Sequence, residues 1–225
     1  MMERILCLAI GYAFGLIQTG YFYGKVHGVD IRKHGSGNSG TTNALRVLGA
    51  KAGLIVFAGD FLKTFVPCVL VRSFLGDGAL YSHVLVLYTG LGVTLGHNYP
   101  FYLGFKGGKG IAAMAGILMA SDWRITLICA AVFIGTVAIT RYVSLGSLLV
   151  AAIFLAMTAY FTFTGGYGTA VLHDVSGMTS LNTPYLRWEC VTVAFVIAAM
   201  AFWRHRANIK RLLHGTENKL GAKKS

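Results

Sequence analysis

The sequence predicts an all-α polytopic membrane protein of about seven transmembrane helices, with the N-terminus outside and the C-terminus in the cytoplasm. Three observations carry this. Only 12% of the 225 residues are charged while 55% are hydrophobic, and the mean hydropathy is +0.63; a soluble domain carries about 25% charged residues. The apolar residues fall into long runs, most of which approach the ~20 residues that cross a bilayer. The basic residues gather on one side of those runs.

The first run covers roughly 3–24. Glu3 opposes Arg4 ahead of it and no A-x-A cleavage site follows, so it reads as an uncleaved span and not a signal peptide. The second, 50–75, contains Asp60 and Lys63 at i, i+3. Charge inside a span is costly, which favours a pair with a structural or site-supporting role over a proton relay. The third run is 79–97. The fourth, 110–121, is short, as a tilted or buried half-span or a re-entrant segment would be. The fifth and sixth are 123–141 and 144–164. The loop from about 165 to 185 holds His173 and Asp174 and reads as a solvated outer loop. The last run is 186–204, and residues 213–225 read as a flexible basic tail on what is otherwise a single domain.

Seven crossings put fifteen of the twenty lysines and arginines on one face, including Lys25, Arg46, Lys109, Arg141 and the cluster after Arg204. The positive-inside rule makes that face cytoplasmic. The net charge of +12 therefore orients helices and meets anionic lipid, and no nucleic acid is implied. Cys7, Cys68, Cys129 and Cys190 each lie in an apolar run with neither disulfide nor zinc spacing, as packing residues do.

Four polar clusters fall on the predicted cytoplasmic face. The first, Gly35 to Arg46, is dense in glycine. Its backbone can turn N–H groups toward one point, Ser36, Asn38, Thr41, Thr42 and Asn43 add neutral donors, and Arg46 adds a planar fork suited to phosphate. The second, Gly96-His97-Asn98-Tyr99-Pro100 followed by Gly104 to Gly110, opens onto a helix at Ile111. Free N–H groups there, with Lys106 and Lys109, favour an anion. It lacks the hydroxyl of a Walker A loop, so nucleotide hydrolysis is not indicated. The third, Thr140 to Ser147, offers Arg141 as an interfacial anchor and Ser144 and Ser147 as caps for the next helix. In the fourth, His205 and Asn208 are three apart and share a face if the last span continues as a helix.

The blocks GVDIRKHGSGNSGTTNALR, GHNYPFYLGFKGGKGIA, TRYVSLGS and RHRANIKRLLHGTENK, taken in this order, resemble the motifs of the PlsY family of acyl-phosphate:glycerol-3-phosphate acyltransferases. The resemblance covers roughly residues 20–220. It implies transfer of a fatty acyl group from acyl phosphate to the 1-hydroxyl of glycerol 3-phosphate, giving lysophosphatidic acid and phosphate, in the bacterial inner membrane with the site facing the cytoplasm. Carried over residue by residue, Ser36, Arg46, Lys106, His205 and Asn208 stand at catalytic positions. Asn38, Asn43, Gly107, Gly108, Lys109 and Ser144 stand at substrate-binding ones. No cofactor, metal or obligate protein partner is implied beyond acyl phosphate, glycerol 3-phosphate and membrane lipid. Ser39, Thr41, Leu16 to Gly20 and Thr64 depart from the family pattern, and none of them removes a charged or amide site residue.

The residues themselves agree with such a reaction. Two phosphate-bearing substrates need two anion cradles, and an activated acyl donor needs mainly proximity and charge stabilisation. The chain has no H-x4-D box, so a substrate phosphate is the expected proton acceptor, with His205 orienting glycerol 3-phosphate. An anion transporter would show matching halves with broken helices at mid-membrane, and no halves match. A CDP-alcohol phosphotransferase would need several intramembrane aspartates for metal, whereas Asp60 is the one acid deep in a span.

Overall fold

The computed structural model describes residues 1–75, 79–166 and 183–221. Each of the seven apolar runs is helical. In chain order the helices are α1 (Met2–Gly15), α2 (Thr19–Val26), α3 (Thr41–Leu48), α4 (Ala50–Leu75), α5 (Ala79–Asn98), α6 (Ile111–Ser121), α7 (Trp123–Thr140), α8 (Val143–Thr164), α9 (Thr183–Arg204) and α10 (Arg206–Leu213). Five segments are long and apolar enough to cross a membrane: Met2–Val26, Ala50–Leu75, Trp123–Thr140, Val143–Thr164 and Pro184–Arg204. Helix α6 has 11 residues, or ~16 Å at 1.5 Å per residue, which matches the short fourth run. His173 and Asp174 lie outside the described residues.

Helix α5 is the hub. Val84, Leu85, Val86 and Leu87 are all buried, so it is wrapped on every side. Its tightest neighbour is α1, and the cause is legible in four glycines. Gly11 and Gly15 on α1 face Gly92 and Gly96 on α5, and a Cβ at Gly11 would lie 2.9 Å from the backbone nitrogen of Val93. Small residues at this spacing let two backbones approach where lipid supplies no hydrophobic drive between helices. Gln18 marks the break between α1 and α2. It spends its amide on the carbonyls of Gly15, Gly96 and His97, at 3.0–3.3 Å. The main apolar core joins α5 to α6, α7, α8 and α9 through Met114, Ile117, Ile125, Phe154 and Ile197. All four cysteines are free and buried, as packing residues. Leu127, Ile134 and Ile139 on α7 and Phe195 on α9 stay exposed on the outer surface, where lipid would cover them.

The end of the molecule that holds the polar clusters departs from the sequence reading at two places. The last span does not run on through Asn208. The helix breaks at His205 (φ −98°, ψ 4°), and α10 starts afresh at Arg206. Residues beyond α10 fold back: Leu220 donates its N–H to Arg141 O (2.8 Å), and Arg141 returns Nε and a terminal nitrogen to Leu220 O at 3.0 and 2.8 Å. Arg141 caps α7 in the left-handed region (φ 63°).

Candidate active site

A cleft opens among α3, α6, α8, the His205 break and α10. It is built on helix starts. Gly40, Thr41 and Thr42 at the beginning of α3, Gly110, Ile111 and Ala112 at the beginning of α6, and Val143 and Ser144 at the beginning of α8 all line it. First-turn N–H groups have no intrahelical acceptor and carry the positive end of the helix dipole, so three of them facing one cavity favour an anion there. Gly110 takes φ 82° to turn the chain into α6, a conformation suited to glycine. Arg46, Lys109 and Arg211 add cationic side chains to the walls, and Asp60 and Glu217 are the acids that line it.

The glycine stretch before α3 is folded by Asn43. Its Oδ1 accepts from Ser36 N (2.8 Å) and Ser36 Oγ (3.1 Å), and its Nδ2 donates to the carbonyls of Ile31 and His34 at 2.8 and 3.1 Å. Asn43 is 1% exposed, so these bonds fix the loop and with it Ser36. Asn38 bridges the first two clusters. It accepts from Gly40 N at 2.9 Å and donates to Gly107 O at 3.4 Å. Thr41 Oγ1 is buried without a hydrogen-bond partner among the described residues, a spare hydroxyl at the head of α3.

On the opposite wall a relay runs from Lys109 to the tail. Lys109 Nζ donates to Asn208 Oδ1 (2.5 Å), and Asn208 Nδ2 donates to Glu217 Oε1 (2.8 Å). Glu217 also accepts from Ser144 Oγ (3.1 Å) and pairs with Arg211 Nε (2.8 Å). Burial pushes the Lys109 ammonium down to about 8; Glu217 opposes the fall and the Arg211, Arg204 and Arg46 guanidiniums add to it. Burial likewise lowers Arg46 from its ordinary value, against the pull of Glu217. His205 donates Nδ1–H to Ala201 O at 2.7 Å, a carbonyl being able only to accept. Burial, with Lys109 adding, pushes the His205 imidazole down to about 4, so it is neutral near pH 7.

Ser36, Asn38, Asn43, Arg46, Lys109, Ser144, His205 and Asn208 therefore come together on one cleft. Three residues do not. Lys106 is exposed and lies off the lining. Gly107 and Gly108 are buried behind it, and their N–H groups do not face an anion. They donate to Asn98 O and His97 O at 3.1 and 3.0 Å, and their carbonyls accept from Arg204 at 2.9 and 3.0 Å. A Cβ at Gly108 would run into the His97 ring, 2.6 Å from Cε1. These glycines are there for packing, and the anion-favouring groups of this loop begin at Lys109. Ser144 and Ser147 do not cap α8: Ser144 turns to Glu217, and Ser147 Oγ donates back to Val143 O at 2.8 Å.

The sequence reading passed over Glu217 as a site residue. It is 8% exposed and gathers three donors, and its signal is that it stands as an isolated acid in a basic C-terminal stretch. Asp60 and His97 also reach the cleft wall, the first noted as half of an ion pair and the second as part of the glycine cluster.

The family model described as Glycerol-3-phosphate acyltransferase matches residues 5–215. The chain belongs to the glycerol-3-phosphate acyltransferase family. Among its relatives in the family, a glycerol-3-phosphate acyltransferase of Clostridioides difficile (strain 630) is 41% identical over 230 aligned positions, covering 100% of this chain and 98% of the relative. One of Aquifex aeolicus (strain VF5) is 39% identical, covering 97% and 100%. A crystal structure of PlsY (YgiH), an integral membrane glycerol 3-phosphate acyltransferase in its glycerol 3-phosphate form, superposes with TM-score 0.77 at 36% identity. It covers 97% of this chain and 96% of that one. The same protein in its lysophosphatidic acid form gives TM-score 0.75. The resemblance to PlsY drawn from the four motifs is thus confirmed, and this member of the glycerol-3-phosphate acyltransferase family is a multi-pass membrane protein.

Proposed function

We propose that the chain transfers a fatty acyl group from acyl phosphate to the 1-hydroxyl of glycerol 3-phosphate, forming lysophosphatidic acid and inorganic phosphate as the first acylation of phospholipid synthesis. The observation that carries this is the convergence of three helix starts with Arg46, Lys109 and Arg211 on one cleft. Two phosphate groups must be held side by side in this reaction, and this density of cations and N–H donors suits them. The hydroxyl oxygen attacks the acyl carbonyl carbon, the carbon–oxygen bond to phosphate breaks, and phosphate leaves with that electron pair. The hydroxyl proton passes to a substrate phosphate oxygen. His205 is a weak base with its imidazole near 4, which suits a group that accepts a hydrogen bond from the acceptor hydroxyl and orients it. Asn208, held by Glu217 through one amide proton, keeps the other to donate to a substrate, and Ser36, whose hydroxyl proton goes to Asn43, offers its oxygen as a neutral acceptor.

The cleft lies at the basic end of the bundle, so the positive-inside rule faces it to the cytoplasm of a bacterial inner membrane. α1 with α2, then α4, α5, α6, α7, α8 and α9 supply seven crossings, N-terminus outside. Purified protein given palmitoyl phosphate and labelled glycerol 3-phosphate, with EDTA present, should form labelled lysophosphatidic acid, and palmitoyl-CoA in its place should give none. Product from palmitoyl-CoA alone would keep acyl transfer and overturn the donor.

A further inference from the structure

At the inner wall of the cleft, where Asp60 and His97 reach its lining, lies a polar group of three side chains that the reaction above does not use. Asp60 and Lys63 come from the middle of α4 and His97 from the last turn of α5, and they are 1%, 5% and 3% exposed. Lys63 Nζ has three acceptors within reach, one for each proton of an ammonium: Asp60 Oδ1 at 2.8 Å, Ile17 O at 2.6 Å and His97 Nδ1 at 2.8 Å. Asp60 Oδ1 also accepts from Thr19 Oγ1 at 3.1 Å. An ammonium with its protons placed in this way cannot accept, so His97 must present a bare Nδ1 to it. The ring proton is then on Nε2.

The other edge of that imidazole faces the turn that delivers Lys109. His97 Nε2 and Cε1 occupy the space that a side chain at Gly108 would need. The same turn is tied to the end of α5 by Gly107 N–H to Asn98 O and Gly108 N–H to His97 O. Arg204 clamps it from the α9 side. The ion pair, the ring and the glycines form one stack, from the middle of α4 up to Lys109.

We propose that Asp60, Lys63 and His97 are a positioning unit, in which the buried lysine locks His97 as the Nε2–H tautomer against Gly108 and so sets the turn that aims Lys109 at a phosphate. Assignment of the anion as phosphate rests on the proposed function; assignment of the tautomer does not. The unit acts through Lys109 and touches no reacting atom.

The test begins with the unmodified protein, labelled with nitrogen-15 at histidine, its His97 signals identified by their loss in His97→Gln. The expected spectrum has an acceptor-type Nδ1 and a proton-bearing Nε2; a proton on Nδ1, alone or with Nε2, would overturn the proposal whatever the activity. Removing Lys63 alone would strand a buried carboxylate, so the variant of choice is Asp60→Asn with Lys63→Met, which removes both charges together. In it the His97 tautomers should mix. Its Kd for glycerol 3-phosphate, measured by calorimetry without any acyl donor, should rise about tenfold, equivalent to ~1.4 kcal/mol. An unchanged Kd in the folded variant would overturn the positioning role. Should the variant not fold, the tautomer of the unmodified protein decides alone. A protein that shows the Nε2–H form yet turns over neither acyl donor would refute the proposed reaction and leave the tautomer assignment standing.

Discussion

Lys109 donates to Asn208 from a half-buried position, with Arg46, Arg204 and Arg211 bearing on its charge. Burial pushes its ammonium down to about 8 in the free protein, so its charge is nearly full at pH 6, half lost near pH 8 and mostly gone well above it. Phosphate affinity should follow. KM for glycerol 3-phosphate should climb as pH passes about 8, and Lys109→Arg, which stays charged, should flatten that rise. A KM–pH profile of the two proteins checks this; an equal rise in both would assign the limb to another group. At this scale the sequence was legible where residue type dictates role. Arg46, Lys109, Ser144, His205 and Asn208 reached the cleft because charged and amide groups in a mostly apolar chain have few reasons to recur on one face. Gly107, Gly108 and Lys106 did not. A glycine permits an N–H cradle and a close approach alike, and here His97 and α5 claimed the approach.

At the level of elements, the helix break at His205 and the returning tail complete the site. Glu217 lies beyond α10, yet it holds Ser144 of α8, and Asn208 and Arg211 of α10, at once. Glu217→Ala should therefore leave these donors without their shared acceptor and cost about 2–3 kcal/mol. A fall in Tm in detergent, with activity lost alongside, is the expected outcome; an unchanged Tm would show that the tail is dispensable. Hydropathy located each long helix because an apolar run of sufficient length permits little else in a membrane. It was blind to the break and the tail, which are set by single contacts such as Leu220 with Arg141 between distant parts of the chain.

The described residues form a helical bundle with most of its basic residues at the end that holds the cleft. Segments 3–24 and 186–204 were legible as its first and last spans, and motif order gave the family. Closure of the α1–α5 seam through Gly11, Gly15, Gly92 and Gly96 was not, since those glycines are far apart in sequence and resemble any other. The seven crossings proposed above would put Tyr185 and the start of α7 outside and Lys25 inside. The native cysteines are buried, so single cysteines can report this. A membrane-impermeant maleimide on intact cells should label Trp123→Cys and Tyr185→Cys but not Lys25→Cys; were α6 to turn back without crossing, Trp123→Cys would stay unlabelled.

If this cleft holds the phosphates of both substrates during acyl transfer, Arg46 on its wall is one of the groups that bind them. The most direct measurement compares wild type with Arg46→Gln for turnover of palmitoyl phosphate with labelled glycerol 3-phosphate, both proteins shown to be folded by their Tm. The wild type should form lysophosphatidic acid, and the variant should lose about a hundredfold in kcat/KM, equivalent to ~2.7 kcal/mol. Wild-type turnover by Arg46→Gln would place the chemistry outside this cleft.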